Sequence, residues 1–243
     1  DHFDLEDKAC FQLVVWNPED DEIIGGYRFT RWSMASFHEN GQPYVNTEHL
    51  FDFSQEFIDK YFPYCIEMAR AFVQPKYQSA QAGRKALFAL DNLWDGIGGL
   101  VASDPSVKYL AGKVTIYSSS PEISRKAMIY YLDMCFGDSS GLITSKNPET
   151  CTPEQEEMFK EMFTGATYKE NYQILNNFVK SLDDTIPPLI HSYIGLSPTM
   201  KTFGTTFDPD FGDCYDTAMM ITIDDIYEDK FDRYVASYDK QNA

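Results

Sequence analysis

The sequence is poor in basic residues: 20 Lys and Arg stand against 38 Asp and Glu in 243 residues, which gives a formal net charge of −18. Proteins that wrap duplex nucleic acid obtain much of their affinity from lysines and arginines that neutralise phosphates. Polybasic segments serve the same purpose at anionic membranes. We therefore expect no nucleic-acid partner and at most peripheral contact with a membrane.

Paired cysteines and long apolar runs are also missing. The five cysteines are scattered and include no Cys-x-x-Cys pair, so neither a zinc knuckle nor a disulfide framework is indicated. No histidine stands at metal-ligand spacing from a cysteine or a carboxylate, and we expect no metal. No apolar run approaches the roughly 18 residues that span a bilayer, and signal-peptide architecture is missing. The predicted location is the cytoplasm, with at most peripheral contact with the inner membrane; the start at Asp1 rather than Met leaves room for a preceding segment.

What is present is an ordinary globular composition. Hydrophobic residues make up 43% of the chain, which excludes a disordered protein. The length suits one large domain or two small ones. Because neither repeat nor linker is visible, we expect a single domain over residues 1–243, with a helical insertion at about 150–195.

Strand-like and helix-like segments alternate through the middle of the chain, and its ends are rich in strands. Strands are predicted at 11–16, 22–31, 64–73, 108–118, 200–207 and 216–224. Helices are predicted at 55–62, 79–101, 121–136, 153–163, 168–183 and 188–195, with Ser54 and Ser120 as N-caps of the first and third. This alternation predicts a mixed α/β sheet protein with extra helices toward the C-terminus.

One strand leads almost directly into a helix. The strand 64–73 is followed by the turn 74–77 and by a helix that opens within 78–85. Such a junction points backbone N–H groups and the helix dipole at one spot, which suits a phosphate group. Gly83 permits close approach of the backbone, and Arg84 and Lys85 add positive charge. The alternative is an ordinary helix start with incidental basic residues.

Charged residues on the predicted central strands form a second candidate site. Glu67 and Arg70 are the only charged residues between Pro63 and Pro75, and Arg28 lies on the second strand. Buried charges are costly without partners. They form either a structural salt-bridge network or a polar site in which Glu67 is a base or an orienting group and arginines bind a carboxylate or an acyl oxygen. Glu67 and Arg70 fall on opposite faces of a regular strand.

The order of these elements resembles the GNAT (N-acetyltransferase-like) fold. More narrowly, the chain resembles the hemolysin-like acyltransferase family, which includes the ornithine-lipid and glycine-lipid N-acyltransferases. The resemblance is carried by GGYRF (25–29), EMARAFVQPKY (67–77), GRKALFALDNLWDGIGGL (83–100), YLAGKVTIY (109–117), IPPLIHSYIGL (186–196) and DPDFG (208–212). The pairs Gly25-x-x-Arg28 and Glu67-x-x-Arg70 are similar to motifs of acyl-homoserine-lactone synthases, which share this fold.

The resemblance implies transfer of a long, often 3-hydroxylated, acyl group from an acyl-carrier protein to the α-amine of an amino acid such as ornithine or glycine, in aminolipid synthesis. Glu67 would take the amine proton, Arg28 or Arg70 would hold the acceptor carboxylate, and backbone N–H groups after Phe72 would stabilise the oxyanion. The residues implied to bind the donor are Phe72, Val73, Gln78, Gln81, Gly83, Arg84 and Lys85.

One departure from the family pattern bears on the donor. In the loop Gln78–Gly83, Gln81 stands where the first glycine of the usual GNAT donor loop belongs. This fits acyl-phosphopantetheine on a carrier protein better than tightly bound acyl-CoA, and no tightly bound cofactor is expected. Alternatives are an acetyl-CoA acetyltransferase or a signal synthase of the same fold, and a non-enzymatic module that binds a lipid or a partner.

The charge distribution indicates where an acidic carrier protein would dock. Residues 61–120 hold six Lys and Arg against four Asp and Glu and are the positive part of an otherwise acidic chain. The predicted docking patch consists of Lys76, Arg84, Lys85, Lys108 and Lys113.

Overall fold

The computed structural model describes residues 10–78, 84–236 and 238, and over 84–91 it describes the helical backbone alone. The strands in this part of the chain are β1 (Phe11–Asn17), β2 (Glu22–Arg31), β3 (Phe51–Phe53), β4 (Cys65–Val73), β5 (Tyr109–Ile116), β6 (Ile143–Ser145), β7 (Lys201–Asp208) and β8 (Cys214–Thr222). The helices are α1 (Gln55–Lys60), α2 (Arg84–Ser103), α3 (Glu122–Phe136), α4 (Pro153–Met162), α5 (Tyr168–Ser181), α6 (Pro188–Ile194) and α7 (Glu228–Phe231).

Six strands form one sheet in the order β1-β2-β4-β5-β8-β7, and β3 pairs with β6 in a separate antiparallel sheet. The predicted α/β class with a mixed sheet is confirmed. The chain divides into two compact units, of residues 1–35, 62–111 and 222–243 and of residues 36–61 and 112–221. The prediction of a single domain stays a prediction.

In the first unit, the β1–β2 hairpin carries α2 on one face. Phe11 pairs with Phe29 and Leu13 with Tyr27 across the hairpin, so these four side chains share that face. A Cβ added at Gly96 of α2 would lie 2.8 Å from the Leu13 side chain. The helix therefore packs closely on the strand because Gly96 has no side chain.

In the second unit, residues 150–195 contain the helices α4, α5 and α6. Two of these helices begin with capping boxes, at Thr152 with Gln155 and at Thr167 with Glu170. In each box the threonine hydroxyl accepts a backbone N–H and the partner side chain reaches back, which satisfies two free donors at the helix start. The three helices match their predicted positions to within about two residues.

Several details differ from the sequence predictions. Ser54 caps α1 as expected, but Ser120 does not cap α3, since Pro121 occupies the cap position. The Ser120 hydroxyl donates instead to Asp184 over 3.1 Å. Three short elements, β3, β6 and α7, were not predicted because three or four residues are too few to show a period. No helix in the described part of the chain is both long and apolar enough to cross a membrane.

Candidate active site

Arg28 and Glu67 are buried on the same face of the first unit's sheet. Thr30 pairs with Glu67 and Arg28 pairs with Ala69 in the antiparallel register of β2 and β4, and residues that pair directly share a face. This face is the one opposite α2. Arg28 is 3% exposed and Glu67 is 2% exposed. The structure thus brings together two of the three predicted catalytic residues.

Trp32 holds the Glu67 carboxylate in place. Trp32 directly follows β2 and is fully buried. Its indole N–H donates to Oε2 of Glu67 over 3.1 Å, and its ring stacks on Phe62 at 5.0 Å between centroids. An indole has a single donor and no acceptor, so Oε2 of Glu67 is the acceptor in this contact. Sequence reasoning missed Trp32, because nothing in its local pattern marks its partner.

Arg70, the third predicted catalytic residue, lies in a β-bulge. Two residues of β4, Arg70 and Ala71, lie opposite Tyr27 alone, between the pairs Arg28–Ala69 and Gly26–Phe72. Arg70 has a φ of 51°, a left-handed conformation that is uncommon in residues other than glycine. Such strain costs on the order of 1–3 kcal/mol and concentrates at functional sites. The Arg70 side chain is exposed, unlike that of Glu67.

The bulge reverses the alternation of side chains along β4. In a regular strand, Glu67 and Phe72 would point to opposite faces. After the bulge, Phe72 pairs with Gly26, which lies two residues before Arg28 and on the same face. An added Cβ on Gly26 would lie 3.0 Å from the Phe72 ring. Phe72 therefore lies on the face of Arg28 and Glu67, and it is 47% exposed.

Cys65 lies two residues before Glu67 and on the same face. Its thiol is buried, and burial together with the neighbouring Glu67 charge raises the pKa of the thiol well above its usual value. The nucleophilic form of cysteine is the thiolate. Cys65 is consequently a poor candidate for a covalent acyl intermediate.

In the predicted donor-binding turn, the Gln78 side chain forms a hydrogen bond back to the end of β4. Val73 ends β4 opposite Gly25, and the Gln78 side-chain amide donates to the Val73 carbonyl over 2.6 Å. Arg84 and Lys85 are the first residues of α2, where the structure describes only the backbone. Gln81 and Gly83 lie outside the described residues. The donor assignments therefore remain predictions.

The predicted docking patch is smaller than expected. Lys113 belongs to the second unit, has a side chain only 12% exposed and lies 3.2 Å from Asp216, so its inclusion in a surface patch is wrong. Lys76 forms an ion pair with Glu22, and the hydrogen bond from Lys76 lowers the pKa of the Glu22 carboxyl. Lys108 lies over the Tyr64 ring at 5.0 Å.

A further cluster in the second unit was not predicted. His49, Asp208 and Asp210 offer ligand atoms that all lie within 4.8 Å of one another. Spacing along the sequence does not reveal this cluster, because His49 is far from the two aspartates in the chain. Asp208 and Asp210 belong to the DPDFG segment.

Three comparisons with known proteins bear on the class. A model of the acetyltransferase (GNAT) domain family matches residues 1–87. A glycine N(alpha)-acyltransferase of Phocaeicola vulgatus is 44% identical over 242 residues, 100% of this chain and 74% of that protein. The enzyme of the same name from Bacteroides thetaiotaomicron is 44% identical over 238 residues, 98% and 70% of the two chains. Among solved structures, an aminoglycoside 6'-N-acetyltransferase complexed with coenzyme A aligns over 88% of this chain and 73% of its own, with a TM-score of 0.34 and 11% identity.

The mixed sheet agrees with the predicted fold class, and the GNAT domain match over residues 1–87 includes the strands β1, β2 and β4. Identity of 44% over the whole chain goes further. The chain belongs to the family of the glycine N(alpha)-acyltransferases and is an amino-acid N-acyltransferase. The predictions of the family, of the fold class and of acyl transfer to an amino acid are confirmed.

Proposed function

We propose that this chain transfers an acyl group from a thioester donor to the α-amine of glycine. The observation that carries the proposal is the 44% identity, over the whole chain, to two enzymes named for that acceptor. The proposed donor is a long 3-hydroxyacyl group on an acyl-carrier protein. The proposed setting is aminolipid synthesis in the cytoplasm, with at most peripheral contact with the inner membrane.

The proposed reaction is a direct attack without an acyl-enzyme. The neutral glycine amine attacks the thioester carbonyl carbon, the C–N bond forms, and the C–S bond breaks. The amine proton passes to Glu67, through a water molecule because the carboxylate is buried, and the thiolate leaves and takes up a proton. The products are N-acylglycine and the free phosphopantetheine thiol. The high pKa of the Cys65 thiol supports direct attack over a covalent cysteine intermediate.

The two arginines have different proposed roles, because their exposure differs. Arg70 is exposed in the bulge and would hold the glycine carboxylate, which a guanidinium binds in a fork of two hydrogen bonds. Arg28 is buried on the Glu67 face and would balance the Glu67 charge or contact the acyl oxygen. Backbone N–H groups following Phe72 would stabilise the oxyanion.

For the donor, the proposed phosphate site is the start of α2. Gln78, Gln81, Gly83, Arg84 and Lys85 would surround the phosphopantetheine phosphate there. A helix N-terminus favours an anion through its free N–H groups and its dipole. The proposed carrier-docking residues are Arg84, Lys85 and Lys108. If charge reversal at Arg84 and Lys85 leaves the affinity for the carrier protein unchanged, this part of the proposal fails.

A product assay tests acceptor and donor together. The purified protein is incubated with glycine or ornithine and with one of three donors: a long 3-hydroxyacyl carrier protein, the same acyl group on coenzyme A, or acetyl-CoA. Mass spectrometry should detect N-(3-hydroxyacyl)glycine, formed fastest from the carrier-bound donor. Exclusive acylation of ornithine would overturn the acceptor, and exclusive use of acetyl-CoA would overturn the donor.

The base is tested by Glu67→Gln, which keeps the size of the side chain and one oxygen that can accept the Trp32 N–H. Amide formation should fall by about 10²-fold or more, the usual scale for a general base, while circular dichroism stays unchanged. Wild-type turnover in a folded Glu67→Gln protein would leave Glu67 with a structural role only.

A further inference from the structure

Outside the candidate active site, the second unit brings three potential metal ligands together. His49 ends a short 3₁₀ turn (Asn46–His49), Asp208 ends β7, and Asp210 lies in the turn before β8. Nε2 of His49 lies 3.1 Å from Oδ2 of Asp210 and 4.0 Å from Oδ1 of Asp208. Two chain segments that are distant in sequence therefore present three ligand atoms at one point.

These separations suit a single ion. Metal–nitrogen and metal–oxygen bonds of roughly 2.0–2.2 Å place neighbouring ligand atoms about 3.0–3.5 Å apart in tetrahedral or octahedral shells. The His49–Asp210 separation already has this value. The His49–Asp208 separation of 4.0 Å is longer than this range. The difference is smaller than the distance by which a change of side-chain rotamer moves a ligand atom.

The charges around Asp208 favour a bound cation. Asp208 and Asp216 have side chains only 5% and 4% exposed, and both face Lys113, whose ammonium lies 4.0 Å from Asp208 and 3.2 Å from Asp216. Asp216 also accepts the Thr115 hydroxyl over 2.7 Å. One ammonium thus serves two buried carboxylates and lies nearer to Asp216. A buried negative charge that is incompletely balanced is costly, and a cation at Asp208 would offset that cost.

The Asp208 carboxylate is also held in position. Its Oδ1 accepts the backbone N–H of Asp210 over 3.0 Å, while Oδ2 faces Lys113. Oδ1 is also the Asp208 oxygen that lies 4.0 Å from Nε2 of His49. His49 and Asp210 are exposed, so the ligand atoms can be reached from solvent.

We propose that His49, Asp208 and Asp210 bind one divalent transition-metal ion of the zinc and manganese class. The imidazole nitrogen favours these ions over calcium and magnesium, which prefer oxygen alone. Water would fill the remaining coordination positions. The ion would link the turn at 46–49 to the turn between β7 and β8 and so stabilise the second unit.

The test is metal binding by the full chain after treatment with a chelator. Equilibrium dialysis against zinc or manganese, with elemental analysis of the protein, should give one ion per chain, and saturating metal should raise the Tm by mass action. His49→Ala and Asp210→Asn alter exposed residues and should fold. Each should weaken binding at least tenfold and reduce the rise in Tm at the same metal concentration.

His38→Ala is the matched control. His38 is another histidine of the same unit, and its Nε2 lies 3.5 Å from a carboxylate oxygen of Glu48, but it lies outside the proposed ligand set. The control should bind metal like the wild type. The proposal is overturned if uptake is not saturable at one ion per chain, if His49→Ala and Asp210→Asn bind like the wild type, or if His38→Ala weakens binding as much as they do. In each case the cluster is an ion pair of His49 with two carboxylates.

Discussion

The indole N–H of Trp32 donates to Oε2 of Glu67 over 3.1 Å, and both side chains are buried. Trp32 belongs to the turn that follows β2, whereas Glu67 is the third residue of β4, so the bond connects the end of one strand to its neighbour on the face opposite α2. This contact fixes the orientation of the proposed base.

Trp32→Phe should reduce kcat with little change in the KM for glycine. The variant keeps an aromatic ring on Phe62 but loses the N–H, and a hydrogen bond to a charged group contributes about 1.5–3 kcal/mol. We expect a fall in kcat of about tenfold or more, which steady-state kinetics measure.

Phe62→Leu is the control for this prediction, because it disturbs the stack beneath Trp32 and leaves the N–H donor in place. It should lower the Tm and leave kcat near that of the wild type. If Trp32→Phe gives a wild-type kcat while Glu67→Gln is inactive, Trp32 has no positioning role and the assignment of Glu67 as base is unaffected.

The bulge predicts an unusual order of stability at Arg70. Alanine is strained at a φ of 51° by roughly 1–2 kcal/mol relative to glycine, while glycine adds some freedom to the unfolded chain. Arg70→Gly should therefore be more stable than Arg70→Ala by about 1 kcal/mol in urea unfolding. Both variants should raise the KM for glycine if the guanidinium binds its carboxylate.

Gln12 provides the comparison, since it is an exposed residue of β1 and its φ is not positive. There the order should reverse, with Gln12→Ala more stable than Gln12→Gly. An Arg70→Ala protein at least as stable as Arg70→Gly would show that the left-handed conformation is not the one populated in solution.

Regular elements were predictable, whereas the features that shape the site were not. Hydrophobic periodicity and the turn residues located β1, β2, β4 and the helices of the insertion, because each is long enough to show a period. The bulge has no glycine at position 70 to mark it, and a single extra residue was enough to move Phe72 onto the Glu67 face. The Trp32 contact and the His49 cluster depend on tertiary proximity, which spacing along the chain does not encode.

Cys65→Ala should leave turnover within about twofold of the wild type. The pKa of the Cys65 thiol is raised by burial and by Glu67, so little thiolate exists at neutral pH to form an acyl-enzyme. The variant should lose some stability through the small cavity it creates. Kinetic assays with Cys10→Ala as control, together with mass spectrometry of the intact protein during turnover, check the prediction. An acyl adduct on Cys65, or loss of activity in a folded Cys65→Ala protein, would contradict direct attack.

Lys113→Met should destabilise the protein by about 3 kcal/mol, since removing one partner of a buried ion pair leaves an uncompensated charge. Here two nearly buried carboxylates, Asp208 and Asp216, lose their shared ammonium.

Lys146→Met is the matched control: Lys146 pairs with Glu48 at 2.8 Å but is 36% exposed, and an ion pair of that kind contributes at most about 1 kcal/mol. Urea unfolding in the presence of a chelator measures both variants without a contribution from bound metal. Equal losses would mean that the charge near Asp208 and Asp216 is screened by water. If zinc restored the stability of Lys113→Met but not that of a Lys113→Met/His49→Ala double variant, the cation would have replaced the ammonium beside Asp208.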